Sequence, residues 1–329
     1  MDLFGFGSDV GGEGSKGEQS PNLTRRTQKL IDASVAIRGG APDGDEIAFL
    51  HSTFCQVALP RTRPPGLVFE RTSGAASIRL EAGTLWDGER HVQQSLPYGT
   101  RPRLLLMHMI RSYLRTRDRN IDLGESVRDF LVNTLHVSAS GGPRGGLTSF
   151  RQQVHALAGC RISIGINAGG GQAVSHPNKQ LIDRFAAWPI DESGRRTLLP
   201  HQLTLTREFA EAIEQSSVPL DLRAIRAVQD SALSLDVYAW LAHRLWRMSR
   251  PTMVYWQNLR EQFGQEVADP RTFKRNFTKS LREVMEVYPQ AKIQEAKGGL
   301  RLMPSKPPVP PTTVVAVGRS ERAALPAGR

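Results

Sequence analysis

Two stretches of this chain predict the same order of elements: a helix, a short strand, two more helices and a two-stranded hairpin. The second stretch, residues 231–303, has the clearer pattern, because apolar side chains recur at helical spacing in each of its three helices. No residue-level repeat relates the two stretches. The shared order therefore predicts a duplicated architecture rather than a duplicated sequence.

The second stretch combines apolar periodicity with strong helix-end signals. Its first helix has one apolar face, formed by Leu233, Val237, Leu241, Leu245 and Met248. A strand over Thr252–Tyr255 leads to a second helix that ends at Gly264. Asp269 is suited to cap the third helix, with Pro270 as its first residue. The inward face of this helix is Phe273, Phe277, Leu281 and Val284, and a hairpin over Lys292–Leu302 turns at Gly298-Gly299.

The first stretch carries the same signals less sharply. Its predicted elements are a helix from Pro102, a strand over Asn120–Leu123, a helix over Glu125–Leu135, a helix after the Gly-rich turn 141–146, and a strand over Arg161–Ile166. Thr148 is the expected N-cap of the third helix. Gly169–Gly171 would form the hairpin tip, with the return strand around Leu181–Trp188, although that segment also fits a helix.

The flanking segments bound these two modules. Residues 7–21 are rich in Gly, Ser and Glu, and Pro304–Pro311 contains five prolines, so both ends predict disorder. A helix over 24–37 and strands over 68–71 and 77–80 form an α/β lead-in. The expected domains are a tail over 1–22, a first domain over 23–200, a second over 201–304 and a Pro-rich tail over 305–329.

A helix, a strand, two helices and a hairpin follow the plan of a winged-helix domain, whose third helix enters the DNA major groove. The expected fold class is therefore α+β, mainly helical, with two tandem winged-helix domains, an α/β lead-in and disordered tails.

The distribution of charge agrees with DNA binding by such domains. The chain has a net charge of +11, and residues 244–306 hold 13 Lys or Arg against six Asp or Glu. Such an excess favours double-stranded DNA as the partner.

Arg and Asn read guanine and adenine edges, whereas other cations mainly contact phosphates. The candidates for base contact are Arg271, Arg275 and Asn276 in the second stretch and Arg151 and Gln152 in the first. The candidates for phosphate contact are Lys274, Lys279, Arg282, Lys292, Lys297 and Arg301 in the second stretch and Arg144 and Ser149 in the first. Ser149 is also a candidate for base contact. The first module has the alternative role of a dimerisation or scaffold unit.

No catalytic or metal-binding constellation stands out. The eight histidines form no HxH or HxxxH pair, and Cys55 and Cys160 form no CxxC pair. Gly11–Gly17 lacks the G-K-[ST] order of a phosphate loop. We expect no enzyme activity, no cofactor and no metal. Since no run of 18 apolar residues and no signal peptide occurs, we also expect a cytoplasmic protein without a membrane partner.

Several spaced motifs resemble those of RepA-type plasmid replication initiators. They are Leu96–Leu104 (LPYGTRPRL), Asp122–Ser126 (DLGES), Ala232–Leu241 (ALSLDVYAWL), Phe273–Phe277 (FKRNF), Val287–Pro289 (VYP) and Gly299–Leu302 (GLRL). The resemblance implies an initiator that binds origin repeats and recruits the host initiator and the replicative helicase. It also implies repression of its own gene as a homodimer, with the first domain as the dimer surface, and no nuclease or ATPase activity.

Two other functions fit the same pattern. A transcriptional repressor would need one operator contact and a dimer, and a protein-interaction scaffold would use both modules to bind other proteins. Separately, Met1–Phe4 matches the last four positions of a sliding-clamp-binding pentapeptide without its leading Gln, which makes the clamp a further candidate partner.

Overall fold

The computed structural model describes residues 24–124, 126–142, 145–168, 172–190 and 196–311. It has a mixed α/β fold. The helices are α1 (Arg25–Gly39), α2 (Ser52–Gln56), α3 (Thr100–Thr116), α4 (Val127–Asp129), α5 (Gly146–Gly159), α6 (Arg207–Ser216), α7 (Leu222–Val228), α8 (Ala232–Arg244), α9 (Trp256–Phe263) and α10 (Pro270–Val287). The strands are β1 (Ile47–His51), β2 (Val68–Ser73), β3 (Ala76–Ala82), β4 (Thr84–Trp86), β5 (His91–Gln93), β6 (Asn120–Asp122), β7 (Cys160–Ala168), β8 (Gln172–Gln180), β9 (Ile182–Ile190), β10 (Arg196–Leu205), β11 (Ser217–Asp221), β12 (Thr252–Tyr255), β13 (Lys292–Ala296) and β14 (Gly299–Met303).

The second stretch has the predicted order of elements, α8-β12-α9-α10-β13-β14. Its three strands form an antiparallel sheet in the order β12-β14-β13, so the last strand lies in the middle. The buried side chains Phe273, Phe277 and Val284 fix the inner face of α10 as predicted. The order and the inner face predicted from helical spacing are therefore confirmed for this stretch.

The turn of the second hairpin depends on two glycines. Gly298 has a φ of +87°, a conformation that side chains other than glycine rarely adopt. Gly299 lies so close to β12 that an added Cβ would stand 2.1 Å from the carbonyl oxygen of Val254. The pair therefore sets both the turn and the close approach of β14 to β12.

The first stretch differs from the prediction in its hairpins. The return strand of β7 is β8, over residues 172–180, and the two strands pair antiparallel with Ala168 opposite Gln172. The prediction that residues 181–188 return on β7 was wrong: they belong to β9, which pairs with β10. The strand β10 also pairs with β6, which gives a sheet in the order β6-β10-β9. The order β6-β10-β9 matches the order β12-β14-β13 of the second stretch.

The hairpin β7–β8 lies in a separate sheet with the lead-in. The predicted strands of the lead-in are present as β2 and β3, and the sheet has the order β2-β3-β7-β8. The predicted helix over 24–37 is present as α1. An unpredicted pair, β1 with β11, joins the lead-in to the segment that precedes α8.

Two helix starts differ from the prediction. Helix α3 begins at Thr100, two residues before Pro102. Helix α5 begins at Gly146, and the prediction of Thr148 as its N-cap was wrong. The Ser140 hydroxyl instead accepts a hydrogen bond from the Gly146 amide at 2.9 Å, while Thr148 donates to the Gly142 carbonyl. A serine from the preceding loop thus takes the capping role.

Buried ion pairs connect the lead-in and α3 to the second stretch. Arg71 on β2 is fully buried and donates through Nη2 to Glu266 Oε1 at 2.6 Å. Arg103 on α3 pairs with Asp236 on α8. One continuous hydrophobic core runs through both stretches. The domain boundaries at residues 200 and 201 stay a prediction.

Residues 305–311 lie against the folded chain, which differs from the prediction of a tail that buries nothing. Val309 is only 1% exposed, and the Tyr288 hydroxyl donates to the Lys306 carbonyl at 2.8 Å. Pro308 is buried as well, so apolar contacts and hydrogen bonds together hold this extended segment against the core. Residues 1–23 and 312–329, which contain the rest of both predicted tails, Met1–Phe4 and Gly11–Gly17, lie outside the described residues.

Candidate nucleic-acid interface

Helix α10 separates charge from apolar surface along its whole length. Asp269 caps it as predicted, accepting from the amides of Arg271 and Thr272 at 3.2 and 2.9 Å. Hydrogen bonds from the Thr272 side chain and from the same two amides lower the pKa of the Asp269 carboxyl below its ordinary value. The exposed residues include every predicted contact on the helix, namely Arg271, Lys274, Arg275, Asn276, Lys279 and Arg282.

The exposed residues of α10 do not all point the same way. At about 100° per residue, Arg271, Arg275 and Arg282 lie within about 40° of one another around the helix. Asn276 lies about 140° from Arg271 by the same spacing, toward the flank of Glu283. Glu283 contacts α1 through Arg26, with Nη2 and Oε2 2.6 Å apart. The three arginines therefore share one face, and Asn276 lies on the side nearer α1.

Lys274 lies on the opposite flank, between two neighbouring elements. Its Nζ is 5.0 Å from the centroid of the Trp256 ring on α9 and 3.6 Å from Glu295 Oε1 on β13. The sequence analysis predicted Lys274 as a phosphate contact and did not find either neighbour. Leu300 is the cross-strand partner of Glu295, so the two side chains point to the same face of the hairpin. The alternation of faces along the hairpin could therefore have predicted that Glu295 lies on the side of the buried Leu300.

The predicted contacts of the second hairpin divide between its tip and its outer face. Leu300 and Leu302 point into the core, so Arg301 between them points to the opposite face of the sheet. Lys292 faces the same outer side, since it pairs with Met303 two residues beyond Arg301. Lys297 is exposed beside the turn at Gly298. Of these three cations, Lys297 is at the tip, and the other two lie on the face away from Glu295 and Lys274.

The first stretch presents much less charge. Its helix α5 carries one Lys or Arg, Arg151, where α10 carries five. Gln152 is exposed, whereas Ser149 and Arg151 are half-buried. The Nε atom of Arg151 is buried and has no hydrogen-bond partner among the described atoms. Arg144 lies outside the described residues.

A groove of about 1090 Å³ separates the β2–β3 turn from α8 and α9. The wall formed by the end of α8 and the turn that follows it carries His243, Arg244 and Arg247. Burial, with the neighbouring Arg247 and Arg244, lowers the pKa of His243 to about 4. The sequence analysis did not predict this groove, because its walls are about 170 residues apart in the chain.

The other side chains that could bind a metal ion are His, Cys, Asp and Glu. Within the described ranges, no group of three His, Cys, Asp or Glu could hold a metal ion. Cys55 and Cys160 are free and buried, and burial raises the pKa of the Cys160 thiol to about 12. No helix among the described residues is long and apolar enough to cross a membrane.

Comparison with known proteins gives a family match and similarities to solved structures. A crystal structure of selenomethionine derivatives of domains 2 and 3 of RctB is similar, at 13% identity and a TM-score of 0.45, covering 76% of this chain and 96% of that one. A second crystal structure of RctB domains 2-3 matches at 13% identity and a TM-score of 0.44, covering 76% of this chain and 94% of that one. No curated protein sequence matches.

The family match confirms the resemblance that the sequence motifs indicated. Residues 96–257 match the family described as plasmid encoded RepA protein. The matched range runs from just before α3 to the first residues of α9, so it contains the first stretch and stops before α10. Over residues 96–257, this chain is therefore similar to the family of plasmid encoded RepA proteins.

Proposed function

We propose that this chain initiates plasmid replication by binding repeated sites in double-stranded DNA, and that residues 232–303 act as a winged-helix DNA-binding domain. The observation that carries the proposal is the exposed face of α10, where Arg271, Arg275 and Arg282 line up without an ion pair to any described residue. Three unpaired guanidinium groups on one helix face fit guanine edges and phosphates.

The geometry supports a division of labour along this surface. Arg271 and Arg275 lie in the first two turns of α10, where a recognition helix meets base edges. Arg282 lies farther along the helix and, with Lys279 and the hairpin tip at Lys297, suits phosphate contact. Asn276 remains a candidate base contact, at the edge of the surface toward α1.

Apart from the additional hairpin β7–β8, the first stretch has the order of elements of the second, and its sheet has the matching strand order β6-β10-β9, which supports a second winged-helix domain. Because α5 carries one arginine, we propose that this domain contributes less to DNA affinity than α10 does. A dimer surface in this domain would fit repression of the chain's own gene. We further propose a non-catalytic, cytoplasmic protein that recruits the host initiator and replicative helicase, as the family resemblance implies.

The test is binding of the full chain to labelled duplex from the DNA that flanks its own gene. Random duplex of equal length serves as the control, and both are titrated at several salt concentrations. An initiator should prefer the flanking DNA by about 10³-fold or more, with affinity that falls steeply as salt rises. Protection at several regularly spaced repeats is the expected footprint.

The other outcomes separate the alternatives. A footprint on one inverted site, without further repeats, would favour a transcriptional repressor. Equal and weak binding to both duplexes would contradict the proposal and favour a protein-interaction scaffold, since only nonspecific attraction of a basic chain would remain.

A further inference from the structure

A carboxylate from a neighbouring strand meets the cationic surface of α10. Five Lys or Arg side chains are exposed on this helix: Arg271, Lys274, Arg275, Lys279 and Arg282. Among the ion pairs of the described residues, only Lys274 of these five has an acidic partner. That partner is Glu295 on β13. Its negative charge lies where a basic side chain would increase the attraction of a DNA-binding surface for phosphates.

The contact joins three elements of the second stretch. Lys274 on α10 lies over the Trp256 ring of α9, at 5.0 Å, while its Nζ stands 3.6 Å from Glu295 Oε1 of β13. The side chain of Lys274 is 50% exposed and that of Glu295 is 38% exposed. An ion pair this exposed adds little to folding stability, so stability gives a weak reason for its presence.

We propose that Glu295 is a positioning and specificity residue of the DNA-binding surface. Its carboxylate holds Lys274 against Trp256, and it repels a phosphate that approaches the hairpin out of register. The inference rests on the proposed function, in which α10 binds duplex DNA.

Two physical effects give Glu295 this role. The lysine side chain is flexible, and fixing it before binding reduces the entropy lost when it meets a phosphate. A fixed carboxylate beside the phosphate path also penalises badly registered complexes more than the correct one. Both effects increase the ratio of the affinity for the correct site to the affinity for other DNA. The second effect also lowers the affinity for unrelated DNA itself.

The test compares Glu295→Gln with the unaltered full chain on duplex from the DNA flanking the gene and on random duplex. Glutamine keeps the size of the side chain and removes its charge. We expect affinity for random duplex to rise about two- to fivefold and the ratio between the two duplexes to fall by a similar factor. Glu295→Asp, which keeps the charge, should restore most of the ratio.

The matched control is Glu286→Gln. It changes the net charge of the chain by the same amount, but Glu286 pairs with α1, with its Oε2 3.6 Å from Arg38 Nη2. If Glu295→Gln leaves the ratio of affinities for the two duplexes unchanged, the inference is overturned. An equal rise in the affinity of both glutamine variants for random duplex would also overturn it, because it would mean a general charge effect. If the unaltered chain fails to distinguish the two duplexes, the proposed function itself fails, whatever the variants do.

Discussion

Arg103 on α3 donates two hydrogen bonds to Asp236 on α8, from Nε to Oδ1 at 2.6 Å and from Nη2 to Oδ2 at 2.8 Å, and both side chains are buried. The remaining guanidinium hydrogens go to the carbonyls of Leu59, Pro60 and Gly99. One arginine therefore ties the loop before α3 and the loop after α2 to the first helix of the second stretch.

Removal of one partner of this pair should destabilise the protein strongly. In Asp236→Ala, the guanidinium of Arg103 stays buried without a counter-charge, and we expect the free energy of unfolding to fall by about 3–5 kcal/mol. Urea unfolding followed by circular dichroism measures this. The double variant Arg103→Met with Asp236→Leu should recover much of the loss, and equal instability of the two proteins would contradict the explanation.

Base reading and phosphate contact should separate within α10. Arg275→Ala should reduce affinity for the preferred duplex by about 1–3 kcal/mol and relax its site preference. Lys279→Ala should weaken binding to preferred and random duplexes alike and reduce the salt dependence by about one counterion. Titrations of both variants on both duplexes provide the comparison. Identical behaviour of the two variants would refute the division.

The hairpin cations should differ according to the face they occupy. Lys297 stands at the turn, whereas Arg301 points away from the side of the sheet that carries Glu295. We expect Lys297→Ala to weaken DNA binding by about 0.5–1 kcal/mol, a typical value for one exposed charge contact, and Arg301→Ala to have a smaller effect. Filter binding at low salt resolves this difference. A larger loss in Arg301→Ala would mean that DNA approaches the outer face of the hairpin.

His108 should make folding stability fall in mild acid. Burial lowers the pKa of His108 to about 4, against an ordinary value of 6.5. Between these two pKa values the unfolded chain binds the proton more tightly than the folded chain does. The contribution of His108 to the free energy of unfolding is therefore fully present above pH 6.5 and decreases as the pH falls toward about 4. Urea titrations of His108→Gln across this window should show a flatter profile than the unaltered chain. A profile as steep as that of the unaltered chain would contradict the role of His108.

Short-range patterns predicted most of the second stretch. The spacing of Phe273, Phe277 and Val284 identified the inner face of α10, and Asp269 with Pro270 identified its start. These signals lie within one helix, where periodicity and capping act between near neighbours in sequence. The exposure of Arg271 and Arg275 followed from the same periodicity.

Local sequence patterns could not predict which strands pair in the first stretch. An alternating segment can pair with any strand of suitable length, and β7 took β3 and β8 as neighbours while β6 took β10. The cap of α5 came from Ser140 rather than the expected Thr148, because the preceding loop folds back onto the helix start. Both outcomes depend on where separate segments meet.

The amino-acid sequence was enough to predict the basic face of α10, the glycine turn of the second hairpin and the similarity of residues 96–257 to plasmid encoded RepA proteins. The tertiary structure decided that Glu295 meets Lys274 and that Arg103 meets Asp236, 133 residues away. The physical reason is that helix faces and turns follow from local conformational preferences. Contacts between distant charges form only when the packed core has fixed the position of both backbones.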